Sequence, residues 1–283
     1  MPKPNRLPLA QFALFGLAAL LQSCIFGGNK QFFDTTANPP HASTTTPAAP
    51  ETPPGLPGSN VPCTAGSTTE NLRILFMVDN SGSTAATDPN HTYRTKTLNS
   101  FLSAYGSHQN LTYSFGYFNG SSAKAYDFSR ARFQTTVASP FGPASAMPPV
   151  LQKFDSYPPQ GNTPYTAAFR ALGALVHLDE TSGVKQNYVV VFMSDGIPTD
   201  IYGDASIEIS NLVRELRTEV ESNGSSLLTV SSVYFGPDDD ADSIHNLEVV
   251  ARSGQGQFVD TNKLASALQI NDVITVPGSC QTQ

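Results

Sequence analysis

Basic residues are scarce in this chain: 16 Lys and Arg stand against 23 Asp and Glu, and the formal net charge is -7 over 283 residues. That balance excludes the broad positive face by which proteins hold a nucleic-acid backbone. Nucleotide-binding glycine loops are missing too. There is no G-x-G-x-x-G and no P-loop, and the turn after the first β-rich run reads "DNSGST", residues 79–84. A G-x-S-x-G nucleophile elbow is also absent, which removes the commonest hydrolase signature. The five histidines, His41, His91, His108, His177 and His245, show no metal-ligand spacing, and His177, near a helix end, reads as structural. "PDDDADS" opens like an EF-hand loop with Asp238, Asp240 and Asp242, but Ser243 stands where Gly is needed and Val249 where the bidentate Glu belongs. Those acids are assigned instead to a helix start, where they complement the dipole. No internal repeat is visible, and there are only three cysteines.

What the chain does have begins with Lys3 and Arg6 ahead of an apolar run, Leu7 to Leu21, too short to cross a bilayer. Residues 1–23 therefore read as a signal peptide. The run ends in "LQSC", Leu21 to Cys24, which resembles the lipobox of bacterial lipoproteins; Gln22 departs from the small or aliphatic residue usual there. The resemblance implies cleavage before Cys24, a diacylglycerol on its sulfur and an acylated amino group, hence a lipid anchor in a bacterial cell envelope. Ile25 rather than Asp after the cysteine points to the outer membrane. Cleavage also removes Lys3 and Arg6, so attachment through a basic patch is excluded and the two acyl attachments provide the anchor.

Residues 24–62 follow as a tether. Ala37 to Pro62 holds eight prolines in 26 residues and almost no apolar side chain able to offset the entropy of ordering. The composition predicts a disordered, partly polyproline-II spacer. At ~3.1 Å per residue, Ile25 to Pro62 could reach on the order of 100 Å from the membrane. Cys63 and Cys280 then bracket everything that reads as folded, residues 63–283 with a core at about 70–270. In an exported chain they form an even pair, which can be a disulfide or two free thiols. A bond would close nearly the whole domain as one loop, with an entropic ceiling of roughly 5 kcal/mol.

Within that domain, β-rich runs alternate with helical periodicity. The strands are predicted at 73–79, 112–118, 188–195, 226–235 and 256–260. Those apolar on both faces are placed at the centre of a sheet. Helical spacing links Leu98, Phe101, Leu102 and Tyr105; then Tyr165, Ala168, Phe169, Leu172, Leu175 and Val176; then Leu212, Val213, Leu216 and Val220, ending at Asn223-Gly224. Residues 119–163 fit less well and suggest a hairpin around "AKAYDFS" and a short helix at "MPPVLQKF". The pattern predicts an α/β fold, a doubly wound and mostly parallel central sheet flanked by helices. In such sheets ligands bind at the carboxyl ends of the strands, where the strand order reverses. Asp79 and Asp195 both sit at predicted strand ends.

Asp79, Ser81 and Ser83 spell D-x-S-x-S in the first of these turns. "QGNTPYTAAF" places Thr163 before Pro164 at a helix start, and "VVVFMSDGIPTD" places Asp195 ahead of Gly196. Each has a plain structural reading: Ser83 or Thr84 as a helix cap, Thr163 as an N-cap with proline in the first turn, Asp195-Gly196 as a turn. Their conjunction resembles the von Willebrand factor type A domain over about residues 70–270. That family's metal ion-dependent adhesion site joins a D-x-S-x-S loop, a Thr in a glycine-rich turn and an Asp in a T/S-D-G turn. Asp79, Ser81, Ser83, Thr163 and Asp195 match one by one; Gly161 is kept, and Asn162 replaces a second glycine. "LEVVARSGQGQFVD", Leu247 to Asp260, resembles the family's last helix and strand.

The resemblance implies a non-catalytic, protein-binding domain and a Cys63–Cys280 bond, since it places both chain ends on one side of the sheet. An all-oxygen donor set suits Mg²⁺, with Mn²⁺ or Ca²⁺ able to substitute. By family analogy Asp195 acts from behind a water, so the inner shell keeps a net positive charge and seeks an Asp or Glu of a protein partner. Two other readings stand beside this one. The first is a metal-bearing factor for assembly of an envelope complex. The second is a haloacid dehalogenase-like phosphatase, for which Asp195 and Asp200 have suitable spacing but Ser81 replaces the required second Asp. The oligomeric state is open.

Overall fold

The computed structural model describes residues 71–106, 110–180, 186–222 and 227–274. The signal peptide, Cys24, the tether, Cys63, Cys280 and the helix end at Asn223-Gly224 lie outside the described residues. Seven strands form one sheet: β1 (Leu72–Asp79), β2 (Leu111–Asn119), β3 (Ser122–Asp127), β4 (Arg132–Gln134), β5 (Asn187–Ser194), β6 (Leu228–Tyr234) and β7 (Gln255–Asp260). Their order across the sheet is β4-β3-β2-β1-β5-β6-β7. β2, β1, β5, β6 and β7 run parallel, and β3 and β4 continue as an antiparallel edge. The hairpin expected around "AKAYDFS" is this edge.

Among the described residues there are six α-helices: α1 (Thr84–Thr87), α2 (Thr97–Tyr105), α3 (Met147–Asp155), α4 (Tyr165–Glu180), α5 (Ala205–Ser222) and α6 (Ala241–Ser253). A π-helical turn, Thr92–Lys96, runs directly into α2. Among the described residues no helix is long and apolar enough to cross a membrane.

The two-residue repeat of the strands divides the core. Ile74, Phe76 and Val78 face α2, α3 and the C-terminal segment that carries Leu268, Ile270 and Val273. Leu75 and Met77 face α4, α5 and α6 through Phe169, Val213 and Leu247. Strands buried on both faces lose the alternation of half-exposed ones, which is why β1 and β5 read as continuous apolar runs. Neighbouring β1 and β5 are joined to the rest of the sheet by helices on opposite faces. The strand order reverses between them, which makes their carboxyl ends the switch point at which such sheets bind ligands.

The edge hairpin is closed by one buried acid. Asp127 accepts hydrogen bonds from the amides of Ser129, Arg130 and Ala138, from the Ser129 hydroxyl and from the Gln134 side chain. Burial raises its pKa, but these donors outweigh that and hold it at about 2. Asp127→Ala should therefore cost about 2 kcal/mol in urea unfolding at neutral pH. Because the folded pKa is depressed, the contribution is present above the ordinary value of 3.8 and is lost as pH falls through about 2. Equal stability of wild type and mutant at pH 6 would contradict this role.

Candidate metal centre

Asp79 is the last residue of β1, and Asn80 and Ser81 after it are buried as well. The loop turns at once because Ser81 N–H donates to Asp79 Oδ1 at 2.7 Å. Asp79 Oδ2 accepts from Ser194 Oγ at 2.5 Å, so neighbouring β1 and β5 fix both carboxylate oxygens. Ser81 Oγ and Ser83 Oγ lie 3.0 Å apart, and Ser83 Oγ donates to Asp195 Oδ1 at 2.9 Å. Thr87, on α1, donates to the other oxygen of Asp195. Asp79, Ser81, Ser83 and Asp195 thus form one connected cluster at the carboxyl edge of the sheet.

Thr163 arrives from the opposite side. Its amide donates to Thr199 Oγ1 at 3.1 Å and its carbonyl accepts from Thr199 N–H at 2.9 Å, tying the turn before α4 to the turn after β5. A Cβ built on Gly196 would stand 3.7 Å from Thr163 Oγ1 and 3.8 Å from Ser83 Oγ, so the two hydroxyls flank the space that this glycine leaves open. Gly161 is required for a different reason. Its φ is +72°, and a Cβ there would come within 2.8 Å of the backbone of Gly120. Its carbonyl accepts from Gly82 N–H at 3.0 Å, which pins the D-x-S-x-S loop beneath the Thr163 turn. Asn162 is not among the residues of positive φ, so the single glycine suffices for this loop.

The plain capping readings do not survive this geometry. Ser83 makes no side-chain cap bond to α1. The first amides of α4 are capped by Asp200, whose two carboxylate oxygens accept from Thr166 N and Ala167 N at 3.1 Å each. Thr163 Oγ1 is thus not used as the cap of α4. The engagement of Asp200 at α4 also deprives the phosphatase reading of its second acid. His177 is exposed on α4, with Glu219 its nearest acid at 3.9 Å. Asp240 caps α6 through Ser243 N, as the acidic run before that helix leads one to expect.

Four participants carry no signal of this role in the sequence: Ser194, Thr87, Asp88 and Arg94. The S-D-G motif contains Ser194 but does not reveal its bond to Asp79. Arg94 is fully buried and paired with buried Asp88, Nε to Oδ2 at 3.1 Å.

The electrostatics disfavour ionising both acids of the cluster at once. Burial first, and the nearby Asp195 second, push the Asp79 pKa up to about 7. Burial also raises Asp195, against hydrogen bonds from Thr87 and Ser83 and the charge of Arg94. Among the described residues the buried guanidinium beside these acids, Arg94, is already paired with buried Asp88, so the buried Asp79 and Asp195 carboxyls have no cationic side chain of their own. Among the described residues no group of three His, Cys, Asp or Glu gathers to hold a metal. The residues that would hold a metal here offer two carboxylates and three hydroxyls, a hard oxygen set that fits Mg²⁺ or Mn²⁺.

A parallel sheet reversing between β1 and β5, with D-x-S-x-S, Thr163 and Asp195 convergent at that point, decides the architecture. This is the von Willebrand factor type A fold. Among solved structures the chain is similar to the pilus adhesin SpaC of Lactobacillus rhamnosus GG, at 14% identity over 71% of this chain and 28% of that one, with a TM-score of 0.48. It is also similar to a von Willebrand factor type A protein from Catenulispora acidiphila, at 11% identity over 67% and 38% of the two chains, TM-score 0.42. A third is the manganese-loaded TRAP protein of Plasmodium vivax, at 18% identity over 62% of each chain, TM-score 0.40. The aligned part is less than two fifths of the length of the first two proteins. No family model matches the chain, and no curated protein matches it. The chain ends its first strand in a charged, hydroxyl-rich loop, and β1 delivers that loop to the switch point beside the turns that carry Thr163 and Asp195.

Proposed function

We propose that this chain is a non-catalytic, metal-dependent protein-binding domain, held at the surface of a bacterial envelope membrane by an acylated Cys24 and a proline-rich tether. The observation that carries the metal reading is the placement of the Thr163 and Ser83 hydroxyls around the space that Gly196 leaves open, beside the Asp195 carboxylate that Ser83 contacts. Asp79, Ser81, Ser83, Thr163 and Asp195 would hold Mg²⁺ or Mn²⁺. Once bound, the ion supplies an electrophilic position that a partner's Asp or Glu can occupy.

The chain's own contribution to recognition is the rim. Ile197 is 47% exposed and Tyr202 89% exposed, both in the turn that follows Asp195. Large apolar side chains left open beside a polar site favour a protein partner over a small ion or sugar.

The test is capture of envelope proteins on the immobilised chain in Mg²⁺ and in EDTA, with Ile197→Ser as a second bait. A partner retained in Mg²⁺, released by EDTA and weakened by Ile197→Ser is the expected result. A partner retained equally in EDTA would overturn the metal-mediated contact.

A further inference from the structure

The loop that presents Asp79, Ser81 and Ser83 is held from below by a side chain belonging to neither it nor its neighbours in sequence. Arg94 rises from the π-helical turn before α2 and is fully buried, its guanidinium centre 6.0 Å from the centroid of the Phe154 ring. Asp88 orients it: Oδ2 accepts from Arg94 Nε at 3.1 Å and from the Arg94 amide at 3.2 Å, and the Asp88 carbonyl accepts from Nη2 at 2.8 Å. Asp88 Oδ1 meanwhile accepts from the Thr92 amide at 2.6 Å, fixing the π turn to the end of α1.

With Nε and Nη2 of the fork so engaged, Nη1 reaches the loop at two points. It donates to Asn80 Oδ1 at 2.8 Å and to Thr84 Oγ1 at 3.0 Å. Thr84 Oγ1 passes the bond on to the carbonyl of Ser81 at 2.9 Å. Asn80 lies between Asp79 and Ser81, and Thr84 follows Ser83, so one nitrogen spans all three oxygen-bearing residues. A planar guanidinium presents these donors in a fixed fork, which an ammonium on a flexible stem cannot reproduce. π-Helical turns recur where a helix must deliver one side chain to a functional site.

We infer that Arg94 is a positioning residue for this loop: with Asn80 and the relay Arg94–Thr84–Ser81 it sets the spacing of the Asp79, Ser81 and Ser83 oxygens before any ion arrives. The inference deepens the metal reading and rests on it. Outer groups that orient ligands typically change metal affinity by about 10- to 100-fold when removed.

Substitution of Arg94 itself would strand buried Asp88, so the test acts on the relay instead. Thr84→Val keeps the shape of the side chain and the buried ion pair but breaks both hydrogen bonds; Thr84→Ser restores the hydroxyl; Asn80→Ala cuts the second tie. Mn²⁺ affinity of the full chain is measured by electron paramagnetic resonance titration, amide exchange of Ser81 to Thr84 is measured in EDTA, and melting in EDTA confirms folding. Thr84→Val and Asn80→Ala are expected to weaken Mn²⁺ binding about tenfold and to speed loop exchange, whereas Thr84→Ser matches wild type in both. Wild-type Mn²⁺ binding together with unchanged affinity and exchange in folded Thr84→Val would overturn the strut alone. Absence of Mn²⁺ binding by the wild-type chain would overturn the metal reading beneath it.

Discussion

Asp79→Ala should lower Mn²⁺ affinity at least a hundredfold and leave a folded domain. The substitution removes one of the two carboxylates of the candidate site. A unit-charge pair about 4 Å apart is worth about 4 kcal/mol at an effective dielectric constant of ~20, which is ample for that loss. Folding survives because two effects oppose each other. The Ser81 amide and the Ser194 hydroxyl lose their acceptor, at roughly 1–3 kcal/mol. Against this, an acid driven up to about 7 by burial and by Asp195 no longer has to be accommodated without its ion. For a domain of this size each kcal/mol moves the melting temperature by about 2–4 °C, so a shift of only a few degrees in EDTA is expected. Isothermal titration with Mn²⁺ and circular dichroism decide it. Wild-type affinity in a folded Asp79→Ala protein would remove that residue from the site.

Arg94→Leu should be the most destabilising single change near the site. Taking one partner from a buried ion pair strands the other charge, a loss of about 3–5 kcal/mol. Asp88 is 2% exposed and takes its charged partner from Arg94. The double mutant Asp88→Asn with Arg94→Leu should recover part of the loss, because the stranded charge is gone while Asn still accepts from the Thr92 amide. Urea unfolding of both variants in EDTA measures this. A loss below about 1 kcal/mol for Arg94→Leu would mean that the pair is not desolvated in solution.

Some of the molecule was legible because its signals are local. β1 and β5 announce themselves as apolar runs since both faces of a central parallel strand are buried, and α4 shows its period because one face meets the sheet. The antiparallel edge formed by β3 and β4 was visible only as a hairpin. Its closure depends on Asp127 collecting amides from as far as Ala138, and no short window contains both. The choice between a cap and a ligand for Thr163 was equally closed to sequence. A threonine before a proline suits either, and it is Asp200, 37 positions later, that takes the helix amides in place of the Thr163 hydroxyl.

By itself the sequence determined the alternation of strands and helices, the oxygen-rich residues at the ends of β1 and β5 and the acidic charge balance, since each depends on residue type and short-range spacing. Only the tertiary structure decided that those two strands are neighbours at the point of reversal, that Ser194 and Thr87 hold the two carboxylates, and that an arginine lies buried beneath the loop. The physical reason is that burial and charge pairing are properties of packed surroundings. Nothing local to "TYRTK" marks Arg94 as buried; Asp88, Asn80, Thr84 and Phe154 close around it only in the packed domain.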